Sequence, residues 1–245
     1  MTQLSVALET SCPVGGVALG VGGVVVASEH LRPGMRHARD LVPTLGRLAR
    51  MLGLEPAATD VVMVDLGPGS FTGVRVGVAT TKAFHLATGC EVVGVLATDV
   101  VVAAVAQPQP EVCVVVDATR GELYAARYQP TDQATNPAEG RFTGSAGTWQ
   151  RVFGPTVVRP TDLIRTLPPD CYVTGGGLKR YGDEFRSAGL ALAPEETWLP
   201  TVAWVHALGW ERFQVGLADD PYDLKPVYLR LPAAEERWRE RHRLP

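Results

Sequence analysis

Asp65-Leu-Gly-Pro-Gly-Ser-Phe-Thr-Gly-Val-Arg75 is the stretch on which the reading of this chain turns. Before it, Val61-Val-Met-Val64 has the short apolar character of a buried strand, and after it Val74 to about Ala87 reads as a helix. A glycine-rich turn between strand and helix predicts an α/β unit. Gly67 and Gly69 allow backbone conformations that other residues disfavour. Ser70 or Thr72 can cap the helix by accepting a hydrogen bond from its free N–H groups. Such a helix start also suits an anion, to which Arg75 would add charge. The same features equally serve a capped, tightly packed helix start with no ligand.

Three general motifs nearly fit this turn, and each fails on a particular residue. A Walker A loop requires Gly-Lys-Ser/Thr, whereas Gly73 is followed by Val74 and Arg75. The dinucleotide fingerprint is G-x-G-x-x-G, and Gly67, Gly69 and Gly73 leave one residue too many. A nucleophile elbow needs glycines two residues either side of the serine, where Pro68 and Thr72 stand. The helix beyond carries small residues four apart, Gly73 with Gly77 and Ala79 with Ala83 and Ala87. Small residues along a ridge let another element approach closely, either the lobe's own sheet or helix 38–52, or a second protein.

Working outward, Leu4–Glu9, Val17–Leu19 and Val24–Ala27 read as three strands separated by turns at Pro13–Gly16 and Gly22-Gly23. Leu41, Val42, Leu45, Leu48, Ala49 and Leu52 recur at helical spacing, with Pro43 expected in the first turn or at a kink. Glu91–Val95 is a strand and Ala97–Ala106 an apolar helix. After Pro108 the pattern restarts. Cys113–Asp117 is an apolar strand ending in an acid, Ala118–Gly121 a turn, and Glu122–Tyr128 a returning strand, as at the N-terminus. This duplication predicts two related lobes, 1–108 and 109–232, followed by a charged tail, 233–245, read as a solvated helix. Residues 129–150 are polar and glycine-rich and are expected to be a mobile connection. Tyr172–Gly177 is a strand running into a glycine turn, a helix starts near Leu178, and Val202–Val215 is the last well-packed helix.

Composition narrows the classes. The 245 residues are 46% hydrophobic and 20% charged with a net charge of −3, so no basic face for nucleic acid is indicated. Cys12, Cys90, Cys113 and Cys171 form no C-x-x-C pair and read as buried free thiols in a reducing compartment. Glu9 ends the apolar N-terminal run and no positive segment precedes it, which predicts a first strand rather than a signal peptide. No run reaches the roughly 18 apolar residues of a membrane span, and a cytoplasmic location is the default expectation. Among His30, His37, His85, His206 and His242 no two have H-x-x-x-H spacing, and no converging set of metal ligands is expected. His37 and His85 read as surface or packing residues.

The long motif Gly67–Gly77 resembles the signature of the bacterial TsaB (YeaZ) family. Leu8-Glu-Thr-Ser11, Asp117-Ala-Thr-Arg-Gly-Glu-Leu-Tyr124 and Lys225-Pro-Val-Tyr-Leu-Arg230 agree with it in order, so the likeness runs to about residue 230. The resemblance implies a two-lobed α/β fold of the actin/sugar-kinase/Hsp70 (ASKHA) type, with duplicated mixed sheets flanked by helices. It implies a subunit without catalytic residues or cofactor, which pairs with the catalytic subunit TsaD and the ATPase TsaE to make threonylcarbamoyladenosine in tRNA. Contact with tRNA would then be indirect, and homodimers of the isolated chain are left open. Family pairing uses first-lobe helices, which maps the interface onto Ala38–Leu52 and Val74–Ala87, with Leu41, Leu45, Leu48, Gly73, Val74, Gly77 and Ala83 as candidates. Many members carry Asp where this chain has Glu9. Glu9 and Asp117 could position Mg²⁺ in an active fold relative, and with Ser70, Thr72, Arg75, Gly175 and Gly176 they are the candidates for a residual nucleotide or anion site. That makes a Mg-dependent phosphotransferase or ATPase the alternative function. A metal-dependent peptidase is a third reading, and inherited geometry without function is the bland one.

Overall fold

The computed structural model describes residues 3–32 and 37–230, together with Trp238 and Arg241. The tail helix expected from Ala233 falls outside the described residues apart from those two.

The first sheet opens with an antiparallel meander of β1 (Leu4–Glu9), β2 (Gly16–Val21) and β3 (Val24–His30). After α1 (His37–Leu52), β4 (Val61–Asp65) adds parallel to β1. Then α2 (Phe71–Thr88) crosses over to β5 (Glu91–Val95), parallel to β4, giving the order β3-β2-β1-β4-β5. Helix α3 (Ala97–Ala103) leads to the second sheet. There β6 (Val112–Asp117) and β7 (Leu123–Pro130) are antiparallel, β8 (Arg141–Gly144) and β9 (Gly147–Val158) extend the sheet beyond β7, and α4 (Pro160–Ile164) follows. The parallel strand β10 (Tyr172–Thr174), helix α5 (Leu178–Ser187) and strand β11 (Ala191–Leu192) give the order β11-β10-β6-β7-β9-β8. Each sheet thus has one acid-ended strand flanked by an antiparallel neighbour and a parallel one. The duplicated mixed-sheet architecture expected from sequence is present.

Alternation along the strands decides the layers. Val6, Leu8, Val62 and Val64 face α1 and α2, while Ala7, Val61, Met63 and Val93 face inward to a shared core. That shared core holds α3, the inner face of the second sheet and α6 (Val202–Gln214). On the far face of the second sheet, α4 and α5 pack over Cys113, Val115 and Leu123.

Two expectations are corrected. Residues 129–150 are not one mobile connection: most of 141–158 is the β8–β9 hairpin, pinned to the shared core by buried Phe142 and Trp149. The block 109–232 is not spatially one lobe, because α6 returns to the first sheet. There His206 Nε2 meets Ser5 Oγ at 2.8 Å, and a β-carbon on Gly209 would lie 2.5 Å from Met63 Cγ. From Asp219 the chain then straps the first lobe, with Asp219 N–H donating to Val92 O at 2.8 Å and Val227 N–H to Leu66 O at 2.9 Å. Pro43 lies in the second turn of α1, which excludes the first of the two placements expected for it.

Candidate functional site

The Gly67–Arg75 turn is built from residues that serve one another. Ser70 caps α2, its Oγ accepting the Gly73 N–H at 3.1 Å, and Gly89 ends the helix in a left-handed conformation. The glycine spacing follows from the turn after β1, which lies directly on the start of α2. A β-carbon on Gly69 would sit 2.4 Å from Ser11 O, one on Gly73 2.0 Å from Thr10 O, and one on Gly77 2.5 Å from Thr10 Oγ1. Each approach is closer than any side chain allows, so close backbone contact explains these glycines.

Beneath the turn lies a buried carboxyl pair, of which the sequence reading assigned only one member. Glu9 is 1% exposed, and its Oε1 accepts from Ser11 N–H at 2.7 Å and Cys12 N–H at 3.0 Å. Asp65, wholly buried, accepts the Gly67 N–H on Oδ1 at 2.6 Å. The Ser11 hydroxyl lies 3.0 Å from Glu9 Oε1 and 2.9 Å from Asp65 Oδ2, and its single proton serves one of them at a time. Burial, then the charge of Asp65, raises the Glu9 carboxyl well above its ordinary range; burial raises Asp65 as well. Two carboxylates cannot both ionise cheaply in a dry site, so the pair holds a proton. That proton gives a role to Glu9 Oε2, otherwise the one buried oxygen of the pair without a partner. The strand-end acid Asp65 stands in the quoted stretch itself; an acid two residues before a turn glycine was the signal that could have marked it.

The residues proposed for an anion or nucleotide site divide between the two sheets, Glu9, Ser70, Thr72 and Arg75 with the first and Asp117, Gly175 and Gly176 with the second. Glu9 is buried, and its Oε1 is engaged by the Ser11 and Cys12 N–H groups. Ser70 spends its hydroxyl on the cap, Thr72 is exposed, and Arg75 Nε donates to Tyr228 Oη at 2.7 Å. In the second sheet, Asp117 accepts the Thr119 N–H at 2.7 Å and lies 3.7 Å from Arg180. Thr119 and Arg120 both have positive φ, and Gly175 and Gly176 pack against Val115 and Leu199. His37 donates Nε2–H to Cys12 O at 2.9 Å and His85 Nδ1–H to Cys90 O at 2.8 Å, since a ring nitrogen facing a carbonyl must carry the proton.

The interface candidates divide by face. Leu41, Leu45 and Leu48 are 1%, 2% and 6% exposed and pack on the first sheet, and Gly73, Val74 and Gly77 are also buried. Their assignment to a contact surface is therefore corrected: they are the inner face of the two helices. Ala83 lies on the outer face. With Val42, Pro56, Ala57, Ala79 and Ala87 it lines an open apolar groove of about 600 Å³. Val42 is 56% exposed, and Met51 and Leu86 also face solvent.

Residues 26–156 match the family model described as TsaD, tRNA N6-adenosine threonylcarbamoyltransferase. An uncharacterized protein of Mycobacterium tuberculosis is 32% identical over 234 residues, covering 94% of this chain and 92% of its own. The Escherichia coli tRNA threonylcarbamoyladenosine biosynthesis protein TsaB is 26% identical, covering 91% of this chain and 93% of its own. The solved structure of YeaZ from Pseudomonas aeruginosa superposes with a TM-score of 0.74 at 23% identity, covering 93% of this chain and all of that one, and so shares the fold.

Proposed function

Since the chain belongs to the TsaB (YeaZ) family, we propose that it serves tRNA threonylcarbamoyladenosine synthesis as a non-catalytic subunit docking a TsaD-like catalytic subunit through the outer face of α2. The observation that carries this reading is the groove along Ala79, Ala83 and Ala87. It is apolar and shallow, floored by small side chains, and suited to a helix laid against it. A stable interface there would bury on the order of 1,600 Å² in total, more than the groove itself, so it extends onto exposed surface beside Val42. A TsaE-like ATPase completes the assembly, and the net charge of −3 leaves tRNA to the partner. No helix among the described residues is long and apolar enough to cross a membrane.

Several features count against a catalytic role of its own. The resemblance implies a metal-binding His pair on a first-lobe helix of the catalytic TsaD-like enzymes, and the matching helix α3 carries no histidine. Of the two acids that the phosphotransferase alternative needs, Glu9 is engaged by Ser11 and Asp65, and Asp117 accepts the Thr119 N–H with Arg180 beside it.

Reconstitution tests the proposal. Purified TsaD-like and TsaE-like proteins from the same organism, with tRNA, ATP and threonylcarbamoyl-adenylate, should form modified adenosine efficiently only when this chain is added. The chain alone should turn over neither nucleotide nor tRNA. ATP hydrolysis by the isolated chain, lost on Asp117→Asn, would favour the phosphotransferase reading instead.

A further inference from the structure

Two sequence motifs left unused by the groove meet at one place on the surface. Phe71 and Arg75 come from the start of α2, and Tyr228 from the Lys225–Arg230 stretch. The Arg75 guanidinium carbon lies 3.7 Å from the Phe71 ring centroid and 5.5 Å from that of Tyr228. The two rings are 5.6 Å apart and tilted, and Arg75 Nε donates to Tyr228 Oη at 2.7 Å. Phe71 and Tyr228 are 42% and 45% exposed, and Arg75 is exposed between them. The strap bearing Tyr228 is itself anchored, by Val227 N–H on Leu66 O and by buried Leu224.

The cluster continues the groove. Phe71, Arg75, Ala79, Ala83 and Ala87 recur every four residues and are all exposed, which places them along a single ridge of α2. A protein lying along the alanines reaches Arg75 at the N-terminal end. Stacking on Phe71 and the bond to Tyr228 hold the guanidinium plane and leave its two Nη groups turned away from Nε. Among the described residues no carboxylate pairs with Arg75. An arginine so held is a two-pronged donor matched to a carboxylate, with much of its side-chain entropy already lost.

We propose that Phe71, Arg75 and Tyr228 form a preformed anchor for a carboxylate side chain on the protein that docks along α2. The inference rests on the docking reading above and adds the chemistry of the partner. One cation closes an otherwise uncharged ridge, so an Asp or Glu opposite it fixes the register in which the partner helix lies.

The test is the dissociation constant of the TsaD-like subunit for the wild type, Arg75→Gln, Arg75→Lys, Tyr228→Phe and Ala83→Arg, each at several salt concentrations. Arg75→Gln should weaken binding about tenfold, the value of one charge-assisted hydrogen bond, and flatten its dependence on salt. Arg75→Lys should restore the salt dependence but only part of the affinity, because an ammonium lacks the fork. Tyr228→Phe should fall between wild type and Arg75→Gln, and unfolding midpoints should stay together. If Ala83→Arg abolishes binding while Arg75→Gln keeps wild-type affinity and salt slope, the anchor is overturned and the docking face stands. If Ala83→Arg binds as wild type, the docking face fails and the anchor with it.

Discussion

Replacing Glu9 by glutamine should make the protein more stable at neutral and alkaline pH. The amide keeps the geometry: its carbonyl can accept from Ser11 and Cys12 N–H as Glu9 Oε1 does, and its NH₂ can donate toward Asp65 as the shared proton does. What changes is titration. In the unfolded chain Glu9 loses its proton near its ordinary value of 4.5, while in the folded chain burial and Asp65 hold the proton on to a much higher pH. Below pH 4.5 both states are protonated, and this contribution to stability is fully present. As pH rises from there the folded state binds one more proton than the unfolded state. Stability then falls by about 1.4 kcal/mol per pH unit until the folded carboxyl ionises. Two pH units inside that window amount to about 3 kcal/mol, a large part of a domain's usual margin. Asp99, also raised by burial, adds a slope of its own, but it is common to both chains and cancels in their difference. Urea unfolding of both proteins from pH 4 to 9 reads that difference directly. It should be near zero at pH 4 and grow in favour of the glutamine variant with rising pH. Parallel curves, or a glutamine variant weaker at every pH, would refute the shared proton.

Two shorter predictions follow from the same packing. Gly77→Ala should lower stability by about 1–3 kcal/mol in thermal denaturation, because its β-carbon would meet Thr10 Oγ1 at 2.5 Å and Val64 Cγ2 at 3.1 Å; its effect on partner binding should be explained by that loss of fold. All four cysteines are buried, Cys171 is pushed up to about 12 chiefly by burial, and Cys113 is raised by the same cause. Native protein should therefore resist iodoacetamide at pH 8 and take up four labels, counted by mass, only after unfolding.

Much of this was legible in the sequence, for identifiable reasons. The acid-ended strands at Glu9 and Asp117 and their small-residue turns repeat visibly, and that repeat is the two-sheet fold. The cap by Ser70 follows from residue type. What spacing did not resolve was which side of α2 meets what. Gly73 and Gly77 lie on one i+4 series and Ala79, Ala83 and Ala87 on another, two residues out of phase. Two residues turn a helix by about 200°, so the series occupy opposite faces, one on the sheet and one outside. That phase was available in the sequence and would have separated core from surface. The return of α6 to the first sheet was not available, since apolar periodicity gives the buried face of a helix but not its neighbour. The β8–β9 hairpin escaped because β9 is half-exposed along much of its length, so its polar residues imitate a loop. Only Phe142 and Trp149 marked it as anchored.

In the function proposed above, the catalytic subunit docks on the outer face of α2. The most direct measurement is the affinity of Ala83→Arg for the TsaD-like protein by titration calorimetry, beside its melting curve. Ala83 is exposed at the middle of the groove, so an arginine there should leave the melting temperature within a degree or two while weakening binding about a hundredfold or more. Wild-type affinity for a normally folded Ala83→Arg protein would contradict the account.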